Sequence, residues 1–171
     1  STGTLSVTFD AASGGSLAGQ TIAIVNNFDN VATDIISLNG TATTLAAGSA
    51  SPNADPVDLG NFRVGSGALT SQGFDVENTS AAGATTERLG ISAVGTNGNF
   101  AGDNALGNGF ITGGDTSLNA VSVSVNGGSA GVNSGSVTID YVTNGELIDS
   151  SFTSVAAGSD TINLQATGYR E

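Results

Sequence analysis

The feature that most constrains this chain is a strict alternation of apolar and polar residues. Apolar side chains occupy every second position in four segments, which are Thr4–Asp10, Val121–Val125, Val137–Tyr141 and Ile162–Ala166. Successive side chains of a β-strand point to opposite faces, so a period of two places the apolar groups of each segment on one face. Each segment is therefore predicted to be a half-buried β-strand.

Turn signals between these segments limit the strand lengths. Asn-Gly pairs stand at 97–98, 108–109, 126–127 and 144–145, and this dipeptide favours tight hairpin turns. The sequence has no window with the 3.6-residue period of an amphipathic helix. Short strands separated by turns predict an all-β chain that folds as an antiparallel sandwich. We expect seven strands in its larger part, near 57–64, 71–78, 87–94, 109–113, 117–126, 135–142 and 161–169.

The two prolines suggest where the chain divides. Pro52 and Pro56 fall in a stretch rich in Ala, Ser, Gly and Asn, and proline blocks strand pairing where a chain passes between units. We therefore predict an N-terminal partial β-module at 1–46, a linker at 47–55 and a β-sandwich at 56–171.

An internal repeat supports this division. Ser6–Asp10, followed after four residues by Gly-x-Leu, matches Ser136–Asp140, which is followed by the same motif at the same spacing. Farther on, the pattern Ile-x-Leu-x-x-Thr at 36–41 matches the pattern at 162–167, after an insertion of four residues in the first copy. The N-terminal module therefore looks like the last strands of a sandwich whose earlier strands are absent.

The N-terminal module needs a partner surface, because two or three strands are at best marginally stable in water. One partner is the sandwich of the same chain, which would make a single larger sandwich. The other is a neighbouring copy that accepts a strand by β-augmentation, an arrangement that repeats without closing and so builds filaments. The candidate subunit-interface residues are Leu5, Val7, Phe9, Ile22, Ile24 and Phe28.

The composition excludes most catalytic and nucleic-acid-binding functions. The chain has no Cys and no His, and its three basic residues are all Arg. It therefore lacks a thiol nucleophile, an imidazole base and a lysine for a Schiff base. A net charge of −12 opposes binding to nucleic acid or to an anionic membrane surface. The apolar runs are also too short for direct membrane insertion, and we predict no catalytic residue.

Acidic and amide-rich loops are the remaining candidates for a metal or catalytic site. Oxygen ligands for Ca²⁺ are offered by three loops, which contain Asp29, Asn30 and Asp34, then Asn53, Asp55 and Asp58, and finally Asp103. None has the spacing of an EF-hand, and Asp and Asn also form turns, so we expect no cofactor, with Ca²⁺ as the alternative. A glycosidase needs a pair of carboxylates, and the candidates that lie close together in the sequence are Asp140, Glu146 and Asp149. We expect these three side chains to lie on a solvated face of a sheet.

Four stretches of the sandwich segment resemble a known family. They are Pro56–Gly65, which reads PVDLGNFRVG, and then Val76–Thr79, Glu87–Ile91 and Thr161–Arg170. These are similar to strands of the immunoglobulin-like modules called choice-of-anchor D, which are related to the ASH group. The resemblance implies an immunoglobulin-like fold for 56–171 and the tail of a preceding copy for 1–45. It also implies a secreted or surface-anchored bacterial protein without assigned chemistry.

Two hypotheses about function follow. The first is a non-enzymatic extracellular structural protein, a subunit of a pilus-like filament or surface layer, whose partners are copies of itself. The opening Ser1-Thr2-Gly3 suits a mature product whose secretion signal has been removed. The second is an adhesion module of a larger surface protein that binds a polysaccharide or matrix. Exposed loop aromatics would favour the second hypothesis, but we expect both candidates, Phe100 and Phe110, to lie in the core.

Overall fold

The computed structural model describes residues 3–25, 31–52, 54–66 and 71–170. Within these residues the protein consists of strands and their connections, with no helix, so the predicted all-β class is confirmed. The strands are β1 Gly15–Ser16, β2 Gln20–Ile24, β3 Asp34–Leu38, β4 Thr41–Ala42, β5 Gly48–Ser51, β6 Val57–Arg63, β7 Ser71–Asn78, β8 Arg88–Asn97, β9 Phe100–Asn104, β10 Thr116–Val125, β11 Gly131–Asn144 and β12 Ala156–Tyr169.

The strands from β5 onward form a sandwich of two four-stranded sheets. Their orders are β5-β7-β10-β9 and β6-β12-β11-β8. Neighbouring strands are antiparallel except β6 and β12, which run parallel. β5 and β6 can be taken as two halves of a first strand that is shared between the sheets. The strand orders of the two sheets are then those of the ABED and GFC sheets of immunoglobulin domains. The predicted immunoglobulin-like sandwich is therefore confirmed.

The core of the sandwich lies between the two sheets. On β10, Val121 and Val123 are fully buried, whereas Ser122 between them is only partly covered. On β11, Val137 and Ile139 are fully buried in the same hydrophobic cluster. The alternation in the sequence therefore determines which side chains fill the core.

Six of the seven strands predicted for the sandwich coincide with observed strands, and the strand predicted at 109–113 is wrong. That segment is a loop, in which Ile111 makes only an isolated bridge with Leu89. The missing place in the sheet is taken by β9, which has few apolar residues. Its inward face is formed by Phe100 and Gly102. Position 102 has no room for a side chain, because a Cβ there would lie 2.8 Å from Val94 Cγ1.

The predicted linker at 47–55 is wrong for Gly48–Ser51, because these residues form β5 and pair with β7. Small residues are needed here because the ring of Tyr141 lies against the strand. A Cβ on Gly48 would be only 2.5 Å from Tyr141 Cδ2. β5 and β6 belong to different sheets, and the Asp55–Pro56 peptide bond just before β6 is cis.

The N-terminal part contains two small antiparallel sheets, β1 with β4 and β2 with β3. The strand predicted at Thr4–Asp10 is not formed, and no described residue pairs with its backbone. An alternating pattern does not by itself make a strand, since the backbone groups of a strand need a partner.

Candidate functional site

The N-terminal segment Thr4–Asp10 is an apolar stripe that pairs with no strand among the described residues. Leu5 is 60% exposed, Val7 is 44% exposed and Phe9 is 42% exposed. The residues that the repeat aligns with Val7 and Phe9 are Val137 and Ile139, and both are fully buried in the sandwich. The same pattern is therefore core in one copy and surface in the other.

The N-terminal hairpin, which we define as β2 and β3, carries further exposed apolar groups. Ile22 lies directly opposite Ile36 in the pair and is half-buried. Ile24, Ile35 and Ile36 are exposed, and Ile35 reaches 63%. The predicted interface residue Phe28 lies outside the described residues.

An open pocket of about 380 Å³ lies between the N-terminal segment and the N-terminal hairpin. Val7 and Phe9 line it from the segment, and Leu17 and Leu38 line it from the other side. A Cβ on Gly40 would lie within 3.9 Å of both the Phe9 ring and the Leu17 side chain. Leu17 and Leu38 were absent from the interface residues predicted from the sequence, although both belong to the internal repeat, which was the signal that pointed to them.

A set of hydrogen bonds joins the N-terminal part to one end of the sandwich. Thr44 forms a parallel bridge with Thr86, and its backbone bonds to Thr85 and Glu87. The buried carboxylate of Glu87 accepts a bond of 2.8 Å from the Thr43 hydroxyl. This junction contains buried polar groups that are bonded to one another, so it has the character of a fixed structural contact.

Three of the four outer strands of the sandwich, β8, β6 and β5, are poorly suited to accept a further strand. Along β8, the N–H and C=O of Leu89 are both bonded to Ile111, at 2.8 and 2.7 Å. On β6, Gly60 has φ +82° and its N–H is bonded at 2.8 Å to Asp58, where the pairing with β12 shifts register. β5 is short. Bulges, short strands and covering loops are the usual protection of sheet edges.

Two of the carboxylates considered for Ca²⁺ accept hydrogen bonds from backbone N–H groups. Asp55 Oδ1 accepts the N–H of Asn163 at 3.3 Å, and Asp58 Oδ1 accepts that of Gly60. Among the described residues, no group of three acidic side chains is placed to hold a metal ion. Three of the loop residues proposed from the sequence lie outside the described residues, and they are Asp29, Asn30 and Asn53.

The three carboxylates that are candidates for a glycosidase pair lie near the end of β11. Asp140 is exposed on the strand, and Glu146 and Asp149 are exposed in the connection that follows. The Ser151 N–H donates to Asp149 Oδ1 at 2.9 Å and lowers the pKa of that carboxyl. Asp149 is therefore a turn-capping residue, which keeps its charge in a solvated position.

The two loop aromatics differ in their exposure. Phe100 is buried, as expected, but the expectation of a core position for Phe110 is wrong, because its side chain is 38% exposed. Phe110 covers Gly90 on the outer face of β8 and lies under the guanidinium of Arg88, which is 4.7 Å from the ring centroid. A shallow pocket of about 350 Å³ opens beside it, lined also by Val142. An aromatic face beside a pocket is a typical element of a ligand site.

Comparisons with known proteins identify no family for the chain. It matches no protein-family model and no curated protein. Among solved structures it is similar to the Vibrio cholerae VesB protease, with 15% identity and a TM-score of 0.41 over 73% of this chain. The chain spans 30% of the length of that protein's chain. The resemblance to choice-of-anchor D modules therefore stays a prediction.

Among the described residues, none of the elements is a helix long and apolar enough to cross a bilayer.

Proposed function

We propose that this protein is a non-enzymatic structural protein that acts outside the cell, as a subunit of a self-assembling filament or surface layer. Neighbouring copies are joined by exchange of β-strands. The observation that carries the proposal is the state of the N-terminal segment, which has the sequence of a half-buried strand but no strand partner among the described residues. Its apolar side chains stay exposed beside a complete sandwich.

The completeness of the sandwich supports a role for the N-terminal segment in contacts between copies. Both sheets have four strands, and the core between them is filled by the chain's own residues. The sandwich therefore needs no strand from a neighbour, and the N-terminal segment is available for contacts between copies. A net charge of −12 makes unspecific association unfavourable, so a contact between copies has to be specific.

The free energy available to one joint is modest. Full burial of a large apolar side chain contributes about 1.5–3 kcal/mol. Because Leu5, Val7 and Phe9 are 42–60% exposed, covering what remains of them gives about 2–4 kcal/mol in total, before ordering costs. A stable joint therefore also requires backbone hydrogen bonds and burial of the hairpin's apolar groups, and assembly is expected to depend steeply on protein concentration.

The location and partners of the protein follow from the same proposal. The resemblance of Pro56–Gly65 and Thr161–Arg170 to choice-of-anchor D modules supports a secreted or surface-exposed bacterial protein. Its partners are copies of itself, and the shortage of basic residues argues against nucleic acid. The lack of His, Cys and Lys supports a role without catalysis.

Electron microscopy tests the proposal. Negatively stained samples of the full chain at increasing concentration are expected to contain regular fibres or sheets. Deletion of residues 1–12, or the double substitution Val7→Asp with Phe9→Asp, is expected to abolish them while thermal unfolding of the sandwich is unchanged. The matched control is Thr4→Asp with Ser6→Asp, which adds the same charge on the opposite face of the segment. A full chain that stays monomeric at high concentration would refute the proposal.

The second candidate function is a polysaccharide-binding or adhesion module, which the partial exposure of Phe110 beside a pocket favours. Arg88 lies over one face of this ring, so a sugar would contact the part of the ring that stays exposed beside the pocket. Binding of bacterial exopolysaccharide in affinity electrophoresis tests it. Retardation of the full chain that Phe110→Ala removes would support this function, and equal mobility with and without polysaccharide would exclude it for that polymer.

A further inference from the structure

The internal repeat contains pairing information for the N-terminal segment. In the sandwich, β11 and β12 are antiparallel neighbours, with Val137 opposite Ile162. The repeat aligns Val7 with the first of these residues and Ile36 with the second. The segment therefore has the sequence of a strand that pairs with β3, in the register that places Val7 opposite Ile36.

β3 has an edge that can accept this strand. It pairs with β2 along one side, and among the described residues none pairs with its other side. In the complete copy the corresponding strand β12 has neighbours on both sides, β11 and β6. The side of β3 away from β2 is therefore open, among the described residues, to a second neighbouring strand, as β12 has on both its sides.

The chain's own N-terminal segment is poorly placed to take that position. A sheet of the order segment-β3-β2 would make the segment parallel to β2, and parallel neighbours of this kind need a crossover of about a dozen residues or more. Only residues 11–19 connect the segment to β2. Part of this connection is already held, since Gly15–Ser16 pairs with β4 and the Leu17 N–H bonds to Gly40 at 2.8 Å.

We propose that the free edge of β3 accepts the N-terminal segment of a second copy of this chain, antiparallel and in the register of β11 with β12. The inference rests on the proposed function and names its acceptor. A segment from another copy needs no crossover, so the constraint on residues 11–19 does not apply to it. Each copy then donates one strand and accepts one, which is a head-to-tail contact that continues without closing.

The proposed register places Val7 and Leu5 of one copy beside apolar residues of the next, whereas Phe9 stands beside Asp34. Val7 of one copy stands beside Ile36 of the next, which already lies opposite Ile22. Leu5 stands beside Leu38 in the next row. Opposite residues in an antiparallel pair share a face, so these rows form one apolar surface across three strands. The six interface residues predicted from the sequence include Val7, Ile22 and Leu5, which this register places on a single face.

A disulfide cross-link tests the acceptor and the register, because the chain contains no cysteine. Ser6 and Ser37 would be opposite each other, as Ser136 and Asn163 are in the sandwich, at a spacing that a disulfide can bridge. The double variant Ser6→Cys with Ser37→Cys is expected to give a ladder of covalent multimers under oxidising conditions, which a reducing agent collapses to monomer. The controls are the two single variants and Ser6→Cys with Ser49→Cys, which directs the segment to β5 instead.

The outcomes separate this inference from the proposed function. A ladder from the Ser6/Ser37 pair alone supports it. A monomer with an internal disulfide would show that the segment folds back onto its own β3 and would overturn it. Fibres in the microscope without the Ser6–Ser37 cross-link, or with a ladder from the Ser49 control, would leave strand exchange standing but refute β3 as the acceptor. Absence of both fibres and cross-links would refute the function and the inference together.

Discussion

Tyr141 joins three strands of the sandwich and provides a direct test of how the two sheets are held. Its buried hydroxyl donates a hydrogen bond of 2.8 Å to Asp160 Oδ2 on β12. The same oxygen accepts the N–H of Ala50 on β5 at 2.7 Å. One carboxylate therefore connects β5 of one sheet with β11 and β12 of the other.

Burial raises the pKa of Tyr141 well above its usual value, and the hydrogen bond to Asp160 and the negative charge of that residue raise it further. The unfolded chain releases this proton near pH 10. The folded state holds this proton more tightly than the unfolded chain does. The contribution of Tyr141 to the free energy of unfolding is therefore fully present below pH 10 and decreases as the pH rises above 10. Cys and Lys are absent, so few other groups titrate in this range.

The predicted perturbation is Tyr141→Phe, measured by urea unfolding between pH 7 and pH 11. At pH 7 the variant is expected to lose about 1.5–3 kcal/mol, the usual contribution of a hydrogen bond to a charged group. Between pH 8 and pH 11 the native chain is expected to lose about 1.4 kcal/mol from this tyrosine. The variant lacks that loss, so the two stabilities converge at high pH.

The matched control is Tyr169→Phe at the exposed end of β12. It is expected to change the free energy of unfolding by less than about 0.5 kcal/mol at pH 7 and to keep the loss at high pH. If the native chain and Tyr141→Phe lose stability in parallel between pH 8 and pH 11, the proposed role of the buried hydroxyl is wrong.

Three further predictions concern the sandwich. Gly48→Ala is expected to lower the free energy of unfolding by about 1–3 kcal/mol, because the new Cβ meets the Tyr141 ring; Gly95→Ala, which meets nothing within 4 Å, is the control, and equal losses would contradict the reasoning. Thr143→Val is expected to be neutral or stabilising by about 1 kcal/mol in urea unfolding, because the buried Thr143 hydroxyl has no hydrogen-bond partner among the described residues, and a clear loss would indicate an unrecognised partner. Addition of Ca²⁺ or of a chelator is expected to leave the melting temperature unchanged, and a shift of several degrees would indicate a calcium site.

The sandwich could be predicted from the sequence wherever burial and alternation coincide. β7, β10 and β12 have buried apolar residues at every second position over much of their length, so their period of two is visible. β5 and β9 could not be predicted in this way, because they are edge strands made mostly of small and polar residues, with Phe100 as the one large apolar side chain. Their sequences are determined by neighbours from distant parts of the chain, the Tyr141 ring over Gly48 and Val94 beside Gly102.

The candidate site could be predicted only in part from the sequence. The alternation of Thr4–Asp10 identifies a segment able to form a strand, but it does not identify the partner on which a strand depends. Leu17 and Leu38 were not predicted, since neither belongs to a long alternating run that includes the other interface residues. The internal repeat contained the missing information, because its register connects the N-terminal segment with β3.

Amide hydrogen exchange of residues 4–10, followed by mass spectrometry at low and high protein concentration, tests the central claim most directly. If copies are joined by the N-terminal segment, the amide hydrogens of residues 4–10 are expected to exchange rapidly in the monomer, where no described strand pairs with them. In assembled material the same amides are expected to be strongly protected, and β3 is expected to gain protection as well. Amides of residues 4–10 that exchange as rapidly in fibres as in monomers would contradict the account, because fibres would then form without the N-terminal segment as a strand.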